Sequence, residues 1–527
     1  MPLGGPDAAA RGGTDETASP RAACRPPAMT RQSTPRICVV GAGIAGLAAA
    51  WEVRRSAPQA ELVVLDAAAR PGGVIRTSPF AGSEVDEGAD AFLARVDDGA
   101  RLCTELGLAG DLVAPAASRA FVCLDGGLVP YPRAHFLGVP LEPEQLEARS
   151  LSSAGRAALA ADLALPAGCL PARSGERPDR TAAPGHLGDS ASTAADSDCT
   201  VGELIRSRLG DEVLERLVGP LVGSIHAGDC DRLSALAAAP ALAEAARLDG
   251  SLIRALRERS TAGHRDGAPA KPVFWGLRGG METLIVALAR RLAPHLALGE
   301  PALALELRPG EQGAPTIRAV RTPERRLACD AVVLACGAAQ TAPLAAPWAP
   351  DAAALLAETE TASVALVTLA YERSAVPGAT AGSGFVVPAG SGLDITACSW
   401  ASTKWAHLGG VGSTRAVLRV SLGRHGDDTI VAESDAALIA AARAGLAAVM
   451  EVSAVPTEAR VSRWPDAFPQ YTVGHLDRTA DIEARLAAAG VFCAGSSYHG
   501  IGIPACIASG RRAARQALSV RPSESRR

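Results

Sequence analysis

Short apolar runs bounded by glycine turns alternate with segments of helical period along this chain. Ile37-Cys38-Val39-Val40 predicts a buried strand, and Gly41-Ala-Gly43-Ile-Ala-Gly46 a turn opening a helix through about Arg55. A second apolar run, Glu61 to Leu65, ends at Asp66, completing the order a βαβ unit requires. The rhythm returns later. Gly279-Gly280-Met281 opens a helix to about Leu292, strands follow near 301–308 and 315–321, and Asp330 to Ala338 predicts a strand running into a small-residue turn. Gly490 to Gly495 predicts one more strand and turn, followed by a helix from about Ile503 to Leu518.

Two unlike segments interrupt this pattern. Residues 141–260 predict an insert of helices, broken at 166–198 by a Pro-, Ser-, Gly- and Asp-rich stretch expected to be a mobile loop. Residues 361–463 alternate, with Val364–Tyr371 and Ala416–Ser421 predicting strands. The expected fold class is α/β (α+β overall): a dinucleotide-binding domain of the Rossmann type in three pieces, a β-rich substrate domain and a helical insert. The expected bounds are 36–115, 271–345 and 464–520 for the three pieces, 116–140 and 346–463 for the substrate domain, 141–260 for the insert, and 1–35 and 521–527 for tails.

Composition narrows the function. At 527 residues with a net charge of −4, the chain has no basic excess, which weighs against nucleic acid. Lysine occurs only at Lys271 and Lys404 against 50 arginines, a coding bias that makes the average Arg uninformative. Twelve scattered cysteines, with no CxxC and no metal-ligand spacing, suit a reducing cytoplasm and predict no metal site. No apolar stretch approaches membrane-spanning length, and residues 1–35 lack the apolar core of a signal peptide. Asp7, Asp15 and Glu16 argue against a transit peptide, and Met29 offers a later start.

Candidate chemistry gathers at the glycine turns. In Gly41-Ala42-Gly43-Ile44-Ala45-Gly46 the first glycine permits the turn, the second lets backbone approach a pyrophosphate, and the third packs helix on strand. Asp66, 20 residues after Gly46, is placed for a ribose diol. The segment Arg70-Pro71-Gly72-Gly73-Val74, a basic residue and a second glycine pair, favours FAD over NAD, because the isoalloxazine must be led into a neighbouring domain. Gly88, Ala89, Asp90 and Ala91 offer small residues where backbone can meet a flavin. Near the C-terminus, Ser496 to Pro504 precedes a helix whose first N–H groups, at Ile501, Gly502 and Ile503, suit the flavin pyrimidine end. Tyr498 and His499 are open to acid–base roles, with packing favoured.

Together these segments resemble the glutathione-reductase-like FAD enzymes of the amine oxidase and protoporphyrinogen oxidase superfamily. Pro220–Ser234, Trp275–Met281, Ser402-Thr-Lys404-Trp405, Arg463-Trp464, Pro469-Gln-Tyr471-x-x-Gly474-His475 and Tyr498–Cys506 are similar to the signature of its bacterial porphyrinogen oxidases, from about Arg36 to Leu518. The resemblance implies non-covalent FAD, with Ala67, Ala302 and Trp464 added to the cofactor contacts, and Arg119 and Lys404 as substrate contacts. It implies oxidation of a porphyrinogen by molecular oxygen in haem biosynthesis, six electrons in all, with the flavin carrying the chemistry and no catalytic side chain. The high-GC Gram-positive branch is most similar and acts on coproporphyrinogen III; protoporphyrinogen IX is the alternative. The resemblance also admits peripheral membrane contact and a haem-pathway partner enzyme. Asp66 departs from the commoner Glu, and the 166–198 loop exceeds what the resemblance requires. A flavin amine oxidase is the nearest rival, but no cysteine stands at the covalent attachment position and aromatics are only 3%. A carotenoid desaturase and a flavoprotein scaffold without turnover are more distant readings.

Overall fold

The computed structural model describes residues 34–166, 198–262, 272–309, 315–377, 382–409, 413–427 and 429–520. The expected tails at 1–35 and 521–527 and the loop at 166–198 fall almost wholly outside these residues. Five parallel strands form the central sheet, in the order Leu296–Leu298, Glu61–Asp66, Arg36–Val40, Ala331–Leu334, Val491–Cys493. In chain order this is 3-2-1-4-5, so the order reverses between Arg36–Val40 and its neighbour Ala331–Leu334, the switch point where such sheets bind ligands.

The sheet is parallel because its strands are apolar on both faces. Ile37 and Val39 point into one core, against helices Ile44–Ser56, Glu282–Leu292 and Ile503–Ser519. Cys38 and Val40 point into another, under helices Ala338–Ala345, Pro350–Ala357 and His475–Ala487. That second face also carries an antiparallel ribbon, Ala304–Pro309, Pro315–Arg321 and Arg326–Ala328, so the strands expected near 301–308 and 315–321 cover the sheet rather than extend it.

Seven strands build the second sheet, ordered Glu458–Pro469, Thr361–Glu372, Arg415–Leu422, Ile395–Ser399, Gly384–Val386, Ala120–Leu124, Gly127–Pro130. One face, bearing Ala365, Val367, Leu369 and Tyr371, is sealed by helix Asp435–Met450. The helical insert packs its own core against Val122, Val129 and Tyr131 at the far end of this sheet. Within it, buried Asp162 accepts Ser251 Oγ and the N–H groups of Leu252 and Ile253 at 2.7, 3.0 and 3.1 Å, capping helix Leu252–Ala262.

Helix Ile503–Ser519 crosses helix Ile44–Ser56 at backbone contact. A Cβ on Gly510 would lie 2.1 Å from the Ala45 carbonyl oxygen, inside any tolerable contact. Gly510→Ala is therefore expected to force the helices apart and cost about 1–3 kcal/mol, the range for overpacked cores. A lower urea midpoint at unchanged slope, measured on the FAD-free protein, would check it; an unchanged midpoint would contradict the crossing.

Candidate functional site

The switch point gathers the glycine turn from the start of the chain and two later segments. Gly41 has φ +105° and donates its N–H to Leu65 O at 2.7 Å, a conformation costly for other residues. Gly46 lies so close that a Cβ would be 1.8 Å from Gly41 O. Gly43 is different, since a Cβ there would meet no protein atom within 4 Å. It caps helix Ile44–Ser56 with no side-chain hydrogen bond, so Ile44 and Ala45 start a helix whose first N–H groups face open space.

Asp66 ends the second strand and closes on this turn. Its Oδ2 accepts Ala42 N–H at 2.6 Å and its Oδ1 accepts Ala68 N–H at 2.8 Å, beside Ala67. The carboxylate is thus held rigidly, with lone pairs left for a ligand hydroxyl. Glu300 N–H donates to Asp66 O at 2.8 Å, which brings Ala302 to the same edge. Arg70 turns inward: its guanidinium donates to Gly73 O at 2.9 Å and Pro71 O at 3.2 Å, shaping the second glycine loop. That loop meets the first, with Gly72 N–H donating to Ala42 O at 2.8 Å and the Cβ position of Gly73 3.5 Å from Gly43 Cα.

A chain of contacts leads on to the seven-stranded sheet. Gly88 approaches Val74 so closely that a Cβ would be 2.5 Å from its carbonyl oxygen and 3.6 Å from the Trp464 ring. Trp464 Nε1 donates to Glu87 O at 2.8 Å. Glu87 itself accepts Ser78 Oγ at 2.7 Å, Arg76 Nε at 3.1 Å and Ser462 Oγ at 3.2 Å. Beyond Ala89, the Asp90 carboxylate accepts Lys404 Nζ at 3.0 Å, Trp405 Nε1 at 3.0 Å and Arg419 at 3.1 Å; Ala91 follows. Arg419 also donates to Gly88 O. Burial pushes the Asp90 carboxyl up, but Lys404 and Arg419 outweigh it and hold the group below the usual carboxylate range. Lys404 and Asp90, expected to touch ligands separately, are thus occupied with each other and tie the glycine segment to the sheet.

Nearby Asp86 behaves in the opposite way. Burial pushes its carboxyl up to about 6, against Thr77 Oγ1, Arg419 and Met281 N–H, all of which favour the ion. Two carboxyls four residues apart therefore differ because two cations reach the Asp90 carboxylate directly.

The open face of the seven-stranded sheet faces this segment. Register partners Leu366, Ser421, Ala397 and Val386 share it, as do Thr368, Arg419 and Ser399. Val364, Leu366, Ser421, Ala397 and Ser399 stay partly exposed although they lie within the sheet, so this face is not sealed as the other is, while Val386 packs against the core of the helical insert. Helix Gly219–His226 lies against the strands carrying Val386 and Ser399, with Ser224 and Ile225 partly exposed. Arg119, just before strand Ala120–Leu124, is exposed, its guanidinium 5.5 Å from the Phe121 ring centre. It forms no ion pair among the described residues.

At the third segment, Ser496 lies in a turn leading to Ile501 and Gly502, which caps helix Ile503–Ser519 without a side-chain bond. The Cβ position of Gly495 is 3.9 Å from the Ala45 side chain, so the two helix starts are neighbours. Tyr498 is buried with its hydroxyl 3.4 Å from Thr341 Oγ1, and His499 pairs with Glu483 at 2.8 Å, so both are engaged in packing. Sequence reasoning missed Arg419, Glu87 and Trp405 as members of the site. One arginine among 50 carries no mark, and its pairing with Asp90 spans 329 residues. The open space at Gly43, the carboxylate at Asp66, two adjacent helix starts without side-chain caps and an uncovered sheet face beside Gly88 fit an elongated dinucleotide whose reactive ring projects onto the sheet.

The comparisons agree with that fit. A family model described as flavin containing amine oxidoreductase matches residues 44–518. The coproporphyrinogen III oxidase of Bacillus subtilis (strain 168) is 31% identical over 92% of this chain and 98% of its own. That of Mycobacterium bovis is 34% identical over 91% and 97%. Among solved structures, an Exiguobacterium sp. 255-15 protein provisionally assigned as a protoporphyrinogen oxidase superposes with a TM-score of 0.75, at 30% identity, over 92% of this chain and 99% of that one. Putrescine oxidase shares the fold, with a TM-score of 0.65 at 17% identity over 92% and 99%.

The Asp86 carboxyl is expected to titrate near pH 6, where an infrared titration would show its protonated C=O band disappear as pH rises. Because the folded state holds this proton more tightly than the unfolded one, Asp86 favours folding below about pH 4, and that contribution falls away through pH 6. Asp86→Asn should remove the band; a band that persists would assign it elsewhere.

Proposed function

The chain belongs to the flavin containing amine oxidoreductase family and is an FAD-dependent oxidoreductase; from that premise we propose that it oxidises a porphyrinogen in haem biosynthesis, with coproporphyrinogen III as substrate. The observation that carries the reading is the uncovered sheet face beside Gly88, where Val364, Leu366 and Ala397 stay partly exposed within the sheet. Full-length similarity to enzymes named coproporphyrinogen III oxidase supports the choice of substrate. The proposed overall reaction is coproporphyrinogen III plus three O2 giving coproporphyrin III plus three H2O2, a loss of six electrons and six hydrogens.

FAD, when bound, supplies the two-electron acceptor chemistry. In this reading Gly43, Ile44, Ala45 and Ala42 hold its pyrophosphate, and Asp66 its ribose. Arg70 shapes the loop of Gly73 and Val74 around it. Gly88, Ala89, Trp464 and the start of helix Ile503–Ser519 enclose the ring. The chain's task is then to bind, orient and dry. Val364, Leu366 and Ala397 offer an apolar surface to the macrocycle and exclude water from it. Arg119 takes a propionate carboxylate, where a planar, permanently charged guanidinium binds in two-point fashion. No residue need act as nucleophile, in keeping with Tyr498 and His499 being turned to other partners. The largely buried Lys404–Asp90–Arg419 cluster holds the substrate sheet against the flavin-facing segment, so the two reacting rings keep a set separation.

Three outcomes are expected. Purified protein is yellow and converts coproporphyrinogen III to the fluorescent porphyrin faster than protoporphyrinogen IX, with oxygen consumed; a reversed order moves it to the other porphyrinogen, and inertness toward both rejects the reading. Gly43→Val, whose side chain meets open space in the protein, gives folded but colourless enzyme. Arg119→Ala lowers kcat/KM roughly 10- to 100-fold, the value of a charged hydrogen bond, with flavin content unchanged; a steady-state comparison at matched flavin loading checks it.

A further inference from the structure

The short strut Gln470–His475 joins the helical insert to the C-terminal turn, and nothing in the reaction above uses it. On the insert side, Gln470 Nε2 donates to His226 O at 3.0 Å, Ser234 N–H donates to Tyr471 O at 2.7 Å, and Gly474 N–H donates to Asp198 Oδ2 at 3.0 Å. On the turn side, the buried Tyr471 hydroxyl accepts Gly500 N–H at 2.8 Å and donates to Ser496 O. The His475 ring stacks on Tyr471 with centres 4.1 Å apart, and its Nε2 donates to Tyr498 O at 2.8 Å. One phenol therefore bonds two backbone groups of a single turn, four residues apart.

That turn needs such a tie. Gly495 and Gly500 flank it with φ +115° and +127°, conformations only glycine adopts freely, so the turn's shape rests on its hydrogen bonds rather than on side-chain sterics at its ends. We propose that Tyr471 is a positioning residue for the flavin: its hydroxyl clamps Ser496 to Gly500, holding the start of helix Ile503–Ser519 in the orientation that receives the ring, and carries the placement of the helical insert to the cofactor. This rests on the flavin-facing assignment of residues 496–503 but not on the identity of the substrate. Around the hydroxyl, burial raises the phenol's own pKa and lowers those of His226 and His475 to about 4, so the phenol and both imidazoles stay uncharged near neutral pH.

Tyr471→Phe keeps the ring, the stack on His475 and the burial, and removes only the hydroxyl. In the FAD-loaded full chain the expected result is an FAD dissociation constant raised about tenfold, the size of one to two lost buried hydrogen bonds. A shifted visible band and midpoint potential of the bound flavin should accompany it. The rise in melting midpoint on adding FAD should shrink, whereas a merely structural role would lower the midpoints with and without FAD equally. Should the variant not accumulate, Gly500→Ala leaves Tyr471 intact and strains the turn, since its Cβ would lie 2.8 Å from that of Ala505; it is expected to move the same flavin signals. An unchanged dissociation constant and flavin spectrum, in Tyr471→Phe or in the substitute variant, overturns the proposal. Porphyrinogen turnover is not the readout, so loss of the substrate assignment would leave this test standing.

Discussion

Backbone touching backbone is the constraint on which this molecule turns. Where helices Ile44–Ser56 and Ile503–Ser519 cross, the absence of a side chain at Gly510 lets the helix come against the Ala45 carbonyl. Where the first strand enters its helix, Gly41 and Gly46 come closer than any Cβ would allow. These contacts set residues from opposite ends of the chain side by side and leave two helix starts facing one open space. A dinucleotide site made this way depends on missing atoms, because each added methyl group would displace a helix or fill the space meant for phosphate.

Buried charge supplies the second constraint. The Asp90 carboxylate lies under Lys404 and Arg419, and Arg419 also holds Gly88 O. Removing two cations and an anion from water is costly, and the mutual bonds offset that cost only with good geometry. The cluster therefore suits orientation better than stability: it fixes the seven-stranded sheet relative to the glycine segment beside it. Four residues away, Asp86 lies buried among hydrogen-bond donors, and its carboxyl is raised where that of Asp90 is lowered.

Much of this was legible in the residues. The strands around Val39, Val64 and Val333 are apolar on both faces, and that alone indicates a covered parallel sheet. The spacing of Gly41, Gly43 and Gly46, with Asp66 after the next strand, carries the first half of a dinucleotide site, because local steric demands repeat in every such turn. Less legible were the strands near 301–308 and 315–321. Their alternation indicates strands, but only packing shows that they form a ribbon over the sheet. Lys404 stood out by rarity alone, and rarity says nothing about which carboxylate it meets. Arg419 and Tyr471 gave still less, since an arginine in an arginine-rich chain and a tyrosine in a short motif have no periodicity to betray a partner.

By itself, then, the sequence determined those features whose cause lies within a few residues: apolar runs that must be buried, glycines that turns require, a helix start left open for an anion. Those are consequences of local backbone sterics and of the side-chain period. Tertiary structure alone decided which side chains meet across hundreds of residues: Asp90 with Arg419, Trp464 with Glu87, Tyr471 with Ser496 and Gly500. Such pairings follow from how three chain segments and two inserts close around one space, and no local rule encodes a closure that depends on all of them at once.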